Sequence, residues 1–472
     1  MVFSSFGFLF AFFPLFFLGY YLLDPRYRNF FVLFMSLAFY AIGEGQRLFI
    51  LIVSILGNYI FGYLVQTFLT KNKQLAARSF LICGVIFNLA LLAYFKYADF
   101  VIRNLDVALS RAGFLQQVSP LQVILPLGIS FFAFQGISYL VDIYRGKIMA
   151  PSSLFSFATY KSMFPQLIAG PIVRYADVED DMGDRRVEPD EVLNGLGRFV
   201  RGLTKKVLIA DTMAVTADAI FALPAHELSL SVAWLGVIAY TLQIYFDFSG
   251  YSDMAIAMGQ MMGFKFPENF DHPYTSKSIG EFWRRWHMTL SSWFRDYVYF
   301  PLGGNRLSLW RTYGNLIAVF ALTGLWHGAS WTFVVWGLWH GLFMLIERRS
   351  DPETWKVPQA IRHVYVMMVV MIGWALFRAD SSEGGSRVLK SMFGFGVGGD
   401  RVWPLSVFLN SLVIMTLVVG VVFSTPAYKA LYAKIPETKK LPFSVVIGAT
   451  LLFFASLKVL SGAYSPFLYF RF

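Results

Sequence analysis

The sequence predicts an all-α, polytopic membrane protein with roughly eleven to thirteen transmembrane or re-entrant helices, and three observations carry that prediction. Of its 472 residues, 57% are hydrophobic. The mean hydropathy of +0.56 lies far above what a soluble domain of this length carries. Apolar stretches able to cross a hydrocarbon core of about 30 Å, which takes about 20 helical residues, recur from end to end.

Taken in order, the apolar segments run from Ser5 to Leu23, Phe30 to Ile42, Leu48 to Leu69, Phe80 to Phe95, Val123 to Ile143 and Phe199 to Leu223. They continue from Leu230 to Met262, Leu316 to Leu325, Trp331 to Ile346, Val364 to Phe377, Ser406 to Phe423 and Phe443 to Leu460. The first is expected to be a retained span, since it lacks a basic leader and a small-residue cleavage site and is too long for a signal core. Several are short for a crossing, so tilts, kinks and re-entrant segments are expected. No repeat of solenoid length and no low-complexity tract interrupts the pattern, and a single membrane domain, 1–472, accounts for the chain.

The formal charge is +11. Lys and Arg sit in short connections between apolar segments, which is the positive-inside pattern of a membrane protein and not a nucleic-acid face. The connections holding Arg26 and Arg28, Lys71 to Arg78, Arg174 to Lys206, Lys265 to Arg311, and Arg348 to Arg362 are therefore expected in the cytoplasm, facing anionic headgroups and a phosphorylated substrate. This places the N-terminus outside, together with the loops around Gly43 to Gln46 and Lys96 to Pro120. The polar connection Arg174 to Arg198, with Asp177, Glu179, Asp180, Asp181 and Asp184, reads as a solvated loop. Cys83 is the single cysteine, so no internal disulfide forms, and its place in the apolar run Phe80 to Leu92 reads as packing.

Soluble-enzyme signatures are absent: there is no Walker loop, no GxSxG and no dinucleotide fingerprint, and His226-Glu227 lacks the second histidine of HExxH. The chemistry has to be sought in polar residues set among apolar ones, because an ionisable group at a membrane helix centre costs about 2.5–3.5 kcal/mol on insertion scales. His327, in Leu322-Thr323-Gly324-Leu325-Trp326-His327-Gly328, is the foremost candidate. Burial holds an imidazole neutral and able to take a proton from a hydroxyl, which suits attack on a thioester. A histidine bonded between helices fits the same pattern.

His287 lies in Glu281-Phe282-Trp283-Arg284-Arg285-Trp286-His287, continuing through Leu290, Ser291 and Phe294 to Arg295-Asp296-Tyr297. Read as one helix, this stretch puts His287 on a face with Trp283, Leu290, Ser291 and Phe294. One reading places His287 in a cytoplasm-facing pocket where Arg284, Arg285 and Arg295 meet phosphates. The other makes it an interfacial amphipathic helix with snorkelling arginines. Asp247 and Asp253, six residues apart, fall on different helical faces and are expected to bond neighbouring helices. His340 repeats the Trp-His-Gly triplet but reads as structural, and Lys205 and Lys206 are phosphate-site candidates or simply positive-inside charge. No metal site is expected, since neither His287 nor His327 has ligand-like neighbours.

These residues resemble the membrane-bound O-acyltransferases, and within them the bacterial branch that acetylates exopolysaccharides such as alginate. The resemblance spans nearly the whole chain: Met1 to Ser5, Pro126 to Phe131, Phe164 to Pro171, Asp247 to Asp253, Glu281 to Tyr297 with Gly303-Gly304-Asn305, and Trp326-His327-Gly328. It implies a helical fold around a tunnel, with His327 as the active-site histidine at the constriction and His287 as the second polar position. Asn305, Trp326 and Asp247 join the arginines as implied substrate-contact residues. It also implies no bound cofactor, acetyl-CoA from the cytoplasm as acyl donor, and a periplasmic partner of the SGNH-hydrolase kind within an exopolysaccharide machinery in the bacterial inner membrane. On this view His327 deprotonates an acceptor hydroxyl or carries the acetyl group, in a channel that limits loss of the thioester to water. Gly43-Glu44-Gly45 departs from the Trp-rich segment of alginate members and favours another polymer, such as cellulose. Rival readings are a secondary transporter, which would show paired halves, and a non-catalytic scaffold.

Overall fold

A computed structural model describes residues 2–113, 119–151, 153–183, 185–379, 381–395 and 403–462. Among the described residues the regular structure is helical, with one isolated antiparallel bridge between Phe270 and Trp286. Each of the twelve expected apolar segments holds a helix. Among the described residues five helical runs are long and apolar enough to cross a membrane, or six when the bent pair Ser411–Phe423 and Ala427–Ala433 counts as one span. The run Pro25–Thr70 is 46 residues long, about 69 Å at 1.5 Å per residue, twice a bilayer core. It holds two expected spans, and the turn between them is Gly45, at φ 59°. Other expected spans are present as shorter or more polar helices, such as Phe8–Leu22, Ile129–Tyr144 and Trp331–Arg349.

Four local expectations change. The Lys96 to Pro120 loop is largely the helix Ala98–Arg111, with 114–118 outside the described residues. The polar connection ends early, because a helix begins at Pro189 and runs to Thr204; proline suits a first turn, where its missing N–H costs nothing. Asp184 lies outside the described residues. Cys83 is exposed on its helix and not packed in the core. The Glu281 to Tyr297 helix is broken at Trp286 and His287 into Ile279–Arg285 and Met288–Phe294.

The chain divides into two compact units. The first comprises Gly7–Gly195 and Ala255–Pro267. Its apolar centre is a set of phenylalanine rings, with Phe164 5.2 Å from Phe12 and 4.9 Å from Phe16. Between the helices Leu48–Thr70 and Gln74–Leu92, Asn58 and Asn88 exchange side-chain amides, each Nδ2 donating to the other's Oδ1 at 3.1 and 2.8 Å. Paired in this way, two costly buried amides become a specific helix contact. Gly136 lies against both; a Cβ there would stand 2.5 Å from each Asn Oδ1. Glu44 is buried, accepts from the Leu127 N–H at 3.2 Å and pairs with Arg47, so the Gly43-Glu44-Gly45 departure has a packing role.

The second unit comprises Val2–Phe6, Leu196–Met254 and Glu268–Phe472. Its polar keystone is Lys206, 3% exposed, whose Nζ lies 2.7 Å from Asp211 and 2.7 Å from Asp247. The two aspartates thus bracket one cation and join the Lys205–Ala210 π-helical turn to the Leu230–Met261 helix. Asp253, farther along that helix, receives Arg198 at 2.8 Å and Lys205 at 2.6 Å. Asp247 and Asp253 do face different neighbours, as their spacing required.

Two stability effects should follow. Gly136→Ala should overpack the amide pair and destabilise the protein by about 1–3 kcal/mol, seen as earlier thermal unfolding in detergent. Lys206→Met should leave two buried carboxylates without their cation, at about 3–5 kcal/mol, seen as a larger loss of folded protein in the same assay.

Candidate active site

The side chains of the candidate site lie in the second unit. The helix Leu309–His327 ends on His327, because Gly328 leaves the helix in an extended conformation. Ser330 then starts Trp331–Arg349, its hydroxyl accepting from the Thr332 N–H at 3.3 Å. The two helices close into a hairpin through glycine: a Cβ on Gly324 would meet the Phe333 carbonyl oxygen, and one on Gly337 would meet that of Phe320. The glycines flanking His327 therefore set how closely the backbones approach, as their lack of a side chain allows.

Three aromatic rings stand edge-on to the His327 imidazole: Trp326 at 4.9 Å, Trp336 at 5.0 Å and Phe377 at 5.2 Å. Accessibility separates the three buried histidines: His327 keeps 5% of its surface, whereas His287 and His340 keep none. His340 packs against Trp283 at 5.0 Å and Trp336 at 5.3 Å, with Gly373 against its ring. A cavity of about 180 Å³ lined by Ser4, Asp211 and Lys458, among others, includes neither His287 nor His327.

His287 is held differently. It occupies the joint between two seven-residue helices at φ 43° and ψ 55°, a left-handed conformation that costs an L-residue about 1–2 kcal/mol. A β-like pairing holds the joint in place: the Met288 N–H donates to the Asn269 carbonyl at 3.0 Å and the Asp271 N–H to that of Arg285 at 3.0 Å. The side chain meets Asn269, with Nδ1 3.0 Å from Oδ1. Phe248 stands edge-on at 4.7 Å, and Trp326, neighbour of His327, is 6.2 Å away. A helical wheel through His287 therefore fails, since the wheel breaks at that residue. What links the histidines is Trp326.

The remaining candidates scatter. Arg285 is engaged by Glu281 at 3.0 Å and Asp271 at 3.1 Å, and Arg295 by Asp296 at 2.8 Å. Arg284 is exposed on the Ile279–Arg285 helix. That helix is fixed at its N-terminus by Glu347, whose carboxylate accepts from the Ile279 and Gly280 N–H groups at 2.6 and 2.8 Å, as orphan first-turn donors require. Asn305 is exposed beside Gly303 and Gly304, both at positive φ, in a turn anchored by Asn315 Nδ2 to the Gly304 carbonyl at 3.0 Å. Asp247 and Lys206 are spent on each other, and Lys205 on Asp253. Sequence reasoning missed Asn269, Asn315 and Glu347; of these only Asn269, in Glu268-Asn269-Phe270 ahead of the Trp-His pair, left a legible trace, a lone amide in an aromatic run. Among the described residues no three His, Cys, Asp or Glu side chains gather as a metal would need.

Comparison with known proteins now bears on this geometry. Residues 144–354, which contain both His287 and His327, match the model of the membrane-bound O-acyltransferase family. The chain is 43% identical to a probable alginate O-acetylase, AlgI, of Pseudomonas putida over 100% of both sequences. It is 36% identical to a peptidoglycan O-acetyltransferase of Helicobacter pylori, over 91% of this chain and 87% of that protein. A teichoic acid D-alanyltransferase of Bacillus subtilis is 34% identical over 46% of this chain and 58% of its own. Histidines framed by glycine-tight helices, in a chain of apolar spans with such relatives, lead to one conclusion: the chain belongs to the membrane-bound O-acyltransferase family and is a multi-pass membrane O-acyltransferase.

Proposed function

We propose that this acyltransferase takes acetyl groups from cytoplasmic acetyl-CoA and delivers them across the bacterial inner membrane for O-acetylation of an exported polysaccharide, alginate or a polymer such as cellulose, with His327 as the catalytic base. The observation that carries the reading is the placement of His327 at the end of its helix, among three aromatic rings, the one of three buried histidines that keeps some access. Relatives that span the chain are named for O-acetylation of alginate and of peptidoglycan, which supports acetyl as the acyl group.

The chemistry balances without a metal. The acceptor hydroxyl gives its proton to the imidazole as its oxygen attacks the thioester carbonyl. The ester C–O bond forms, the C–S bond breaks, and the proton passes to the departing thiolate to give free CoA. General base assistance of this kind contributes about 10²–10⁴-fold. Arg284, Arg285 and Arg295 supply cationic surface for the CoA phosphates, with Arg284 the most exposed on its helix. Asn305 and Trp326 complete the donor path, and Asp247 acts by holding Lys206. A periplasmic partner of the SGNH-hydrolase kind would take the acetyl group onward to the polymer.

Two measurements test this. In cells lacking the chromosomal copy, His327→Ala should reach the membrane at the wild-type level yet leave the secreted polysaccharide without O-acetyl groups by NMR; wild-type acetylation would remove His327 from the reaction. Inside-out membrane vesicles given acetyl-labelled CoA should release CoA and transfer label in a His327-dependent manner, whereas a label-free product would exclude acetyl-CoA as donor.

A further inference from the structure

The proposed function leaves open which nitrogen of His287 is the base-like one, and the amide of Asn269 answers it. Asn269 is 1% exposed. Its Oδ1 faces three groups: His287 Nδ1 at 3.0 Å, Thr289 Oγ1 at 2.9 Å and the Thr289 backbone N–H at 3.4 Å. On its other side, Nδ2 donates to Ser252 Oγ at 3.0 Å. A backbone N–H can only donate, so the amide atom it meets has to be the oxygen; an amide oxygen can only accept, so the ring nitrogen it meets has to carry the proton. The Ser252 hydroxyl, able to donate or accept, takes the Nδ2 hydrogen in the orientation that the Thr289 N–H sets. The assignment does not depend on choosing a flip by eye.

We propose that Asn269 is a positioning residue that fixes His287 as the Nδ1–H tautomer, so that its Nε2 presents the lone pair to the acyl-transfer site. The inference rests on the reading above that His287 belongs to that site. The backbone supports the same end. The Asn269 carbonyl accepts from the Met288 N–H, the Phe270–Trp286 bridge follows, and the left-handed turn at His287 is held where its ring can reach the amide. One residue thus grips His287 through both its main chain and its side chain, which is what a strained functional position requires in order to persist. The grip is anchored further back: Glu268, next in sequence, takes both Arg198 Nη atoms at 2.7 and 2.6 Å. A histidine whose second nitrogen is bonded to a fixed acceptor has its tautomer set by that acceptor.

The test uses acetyl-CoA turnover by the full-length protein in membranes together with its polysaccharide partner system, normalised to folded protein by fluorescence size-exclusion. Asn269→Leu keeps the bulk but loses the acceptor, and should lower kcat about a hundredfold with KM for acetyl-CoA within about twofold. Asn269→Asp keeps an oxygen for Nδ1–H, while the Ser252 hydroxyl can turn to donate to the second oxygen; it should recover kcat to within about tenfold of wild type. Ser252→Ala, which leaves the ring contact in place but frees the amide, should fall between the two and serves if Asn269→Leu does not fold. Wild-type kcat in Asn269→Leu or in Ser252→Ala, or an aspartate variant no better than leucine at equal folded protein, would overturn the inference. His287→Ala, run alongside, separates the two claims: if it turns over normally, His287 lies outside the reaction and the reading fails first; if it is inactive while Asn269→Leu is not, the tautomer assignment alone fails.

Discussion

In hydrocarbon no water completes the hydrogen bonds of a polar group, so each such group has to bring its partner within the protein. Much of the architecture of this chain follows from that constraint. Lys206 is tolerable because Asp211 and Asp247 both reach it, and Asp253 because Arg198 and Lys205 do. Asn58 and Asn88 satisfy each other. Each solution ties specific helices together, so polar residues in an apolar sequence act as fasteners. The breaks in the helices obey the same rule: the N–H groups exposed at the start of Ile279–Arg285 meet Glu347, and those freed around His287 meet the 269–271 segment.

Much of this was legible in the sequence, and the reason is periodicity. Apolar runs such as Leu48 to Leu69 and Leu230 to Met262 leave a helix little choice of environment, and their helices begin and end within a residue of the apolar boundary. The partners of Asp247 and Asp253 were predictable in kind, because two carboxylates on different faces cannot serve each other. The end of the helix at His327 was legible in kind, because glycines flank it on both sides. The less legible parts are those in which a single residue overrides the local pattern. The stretch Glu281 to Tyr297 has helical amphipathicity throughout, yet a long-range pairing with Asn269, Phe270 and Asp271 breaks it at one residue. Contacts 18 residues apart leave no mark on local spacing, and the face assigned to His287 was lost with the break. The same holds for Ala98–Arg111, a charged amphipathic helix that loop polarity concealed.

The two histidines are presented by opposite means. His327 terminates a long helix, and its surroundings are aromatic rings whose positions follow from glycine-tight packing of two neighbouring helices. His287 sits at a conformational exception and is gripped by an amide. The pair therefore combines one histidine with some access and one with a fixed tautomer, joined through Trp326.

The extent of the family match sharpens this division of labour. Residues 144–354 hold Asp247, Asn269, His287, Glu347 and His327, together with the glycines that close the hairpin. The Asn58–Asn88 clamp, the phenylalanine-rich first helix and the last apolar helix Glu437–Leu460 lie outside it. Relatives named for different acyl groups and polymers share this chain at very different coverage, 100% for the alginate relative and 46% for the D-alanyl one. Both histidines, Asn269 and Trp326 fall within the stretch that matches the family, whereas Phe377, the third ring beside His327, comes from a helix beyond it.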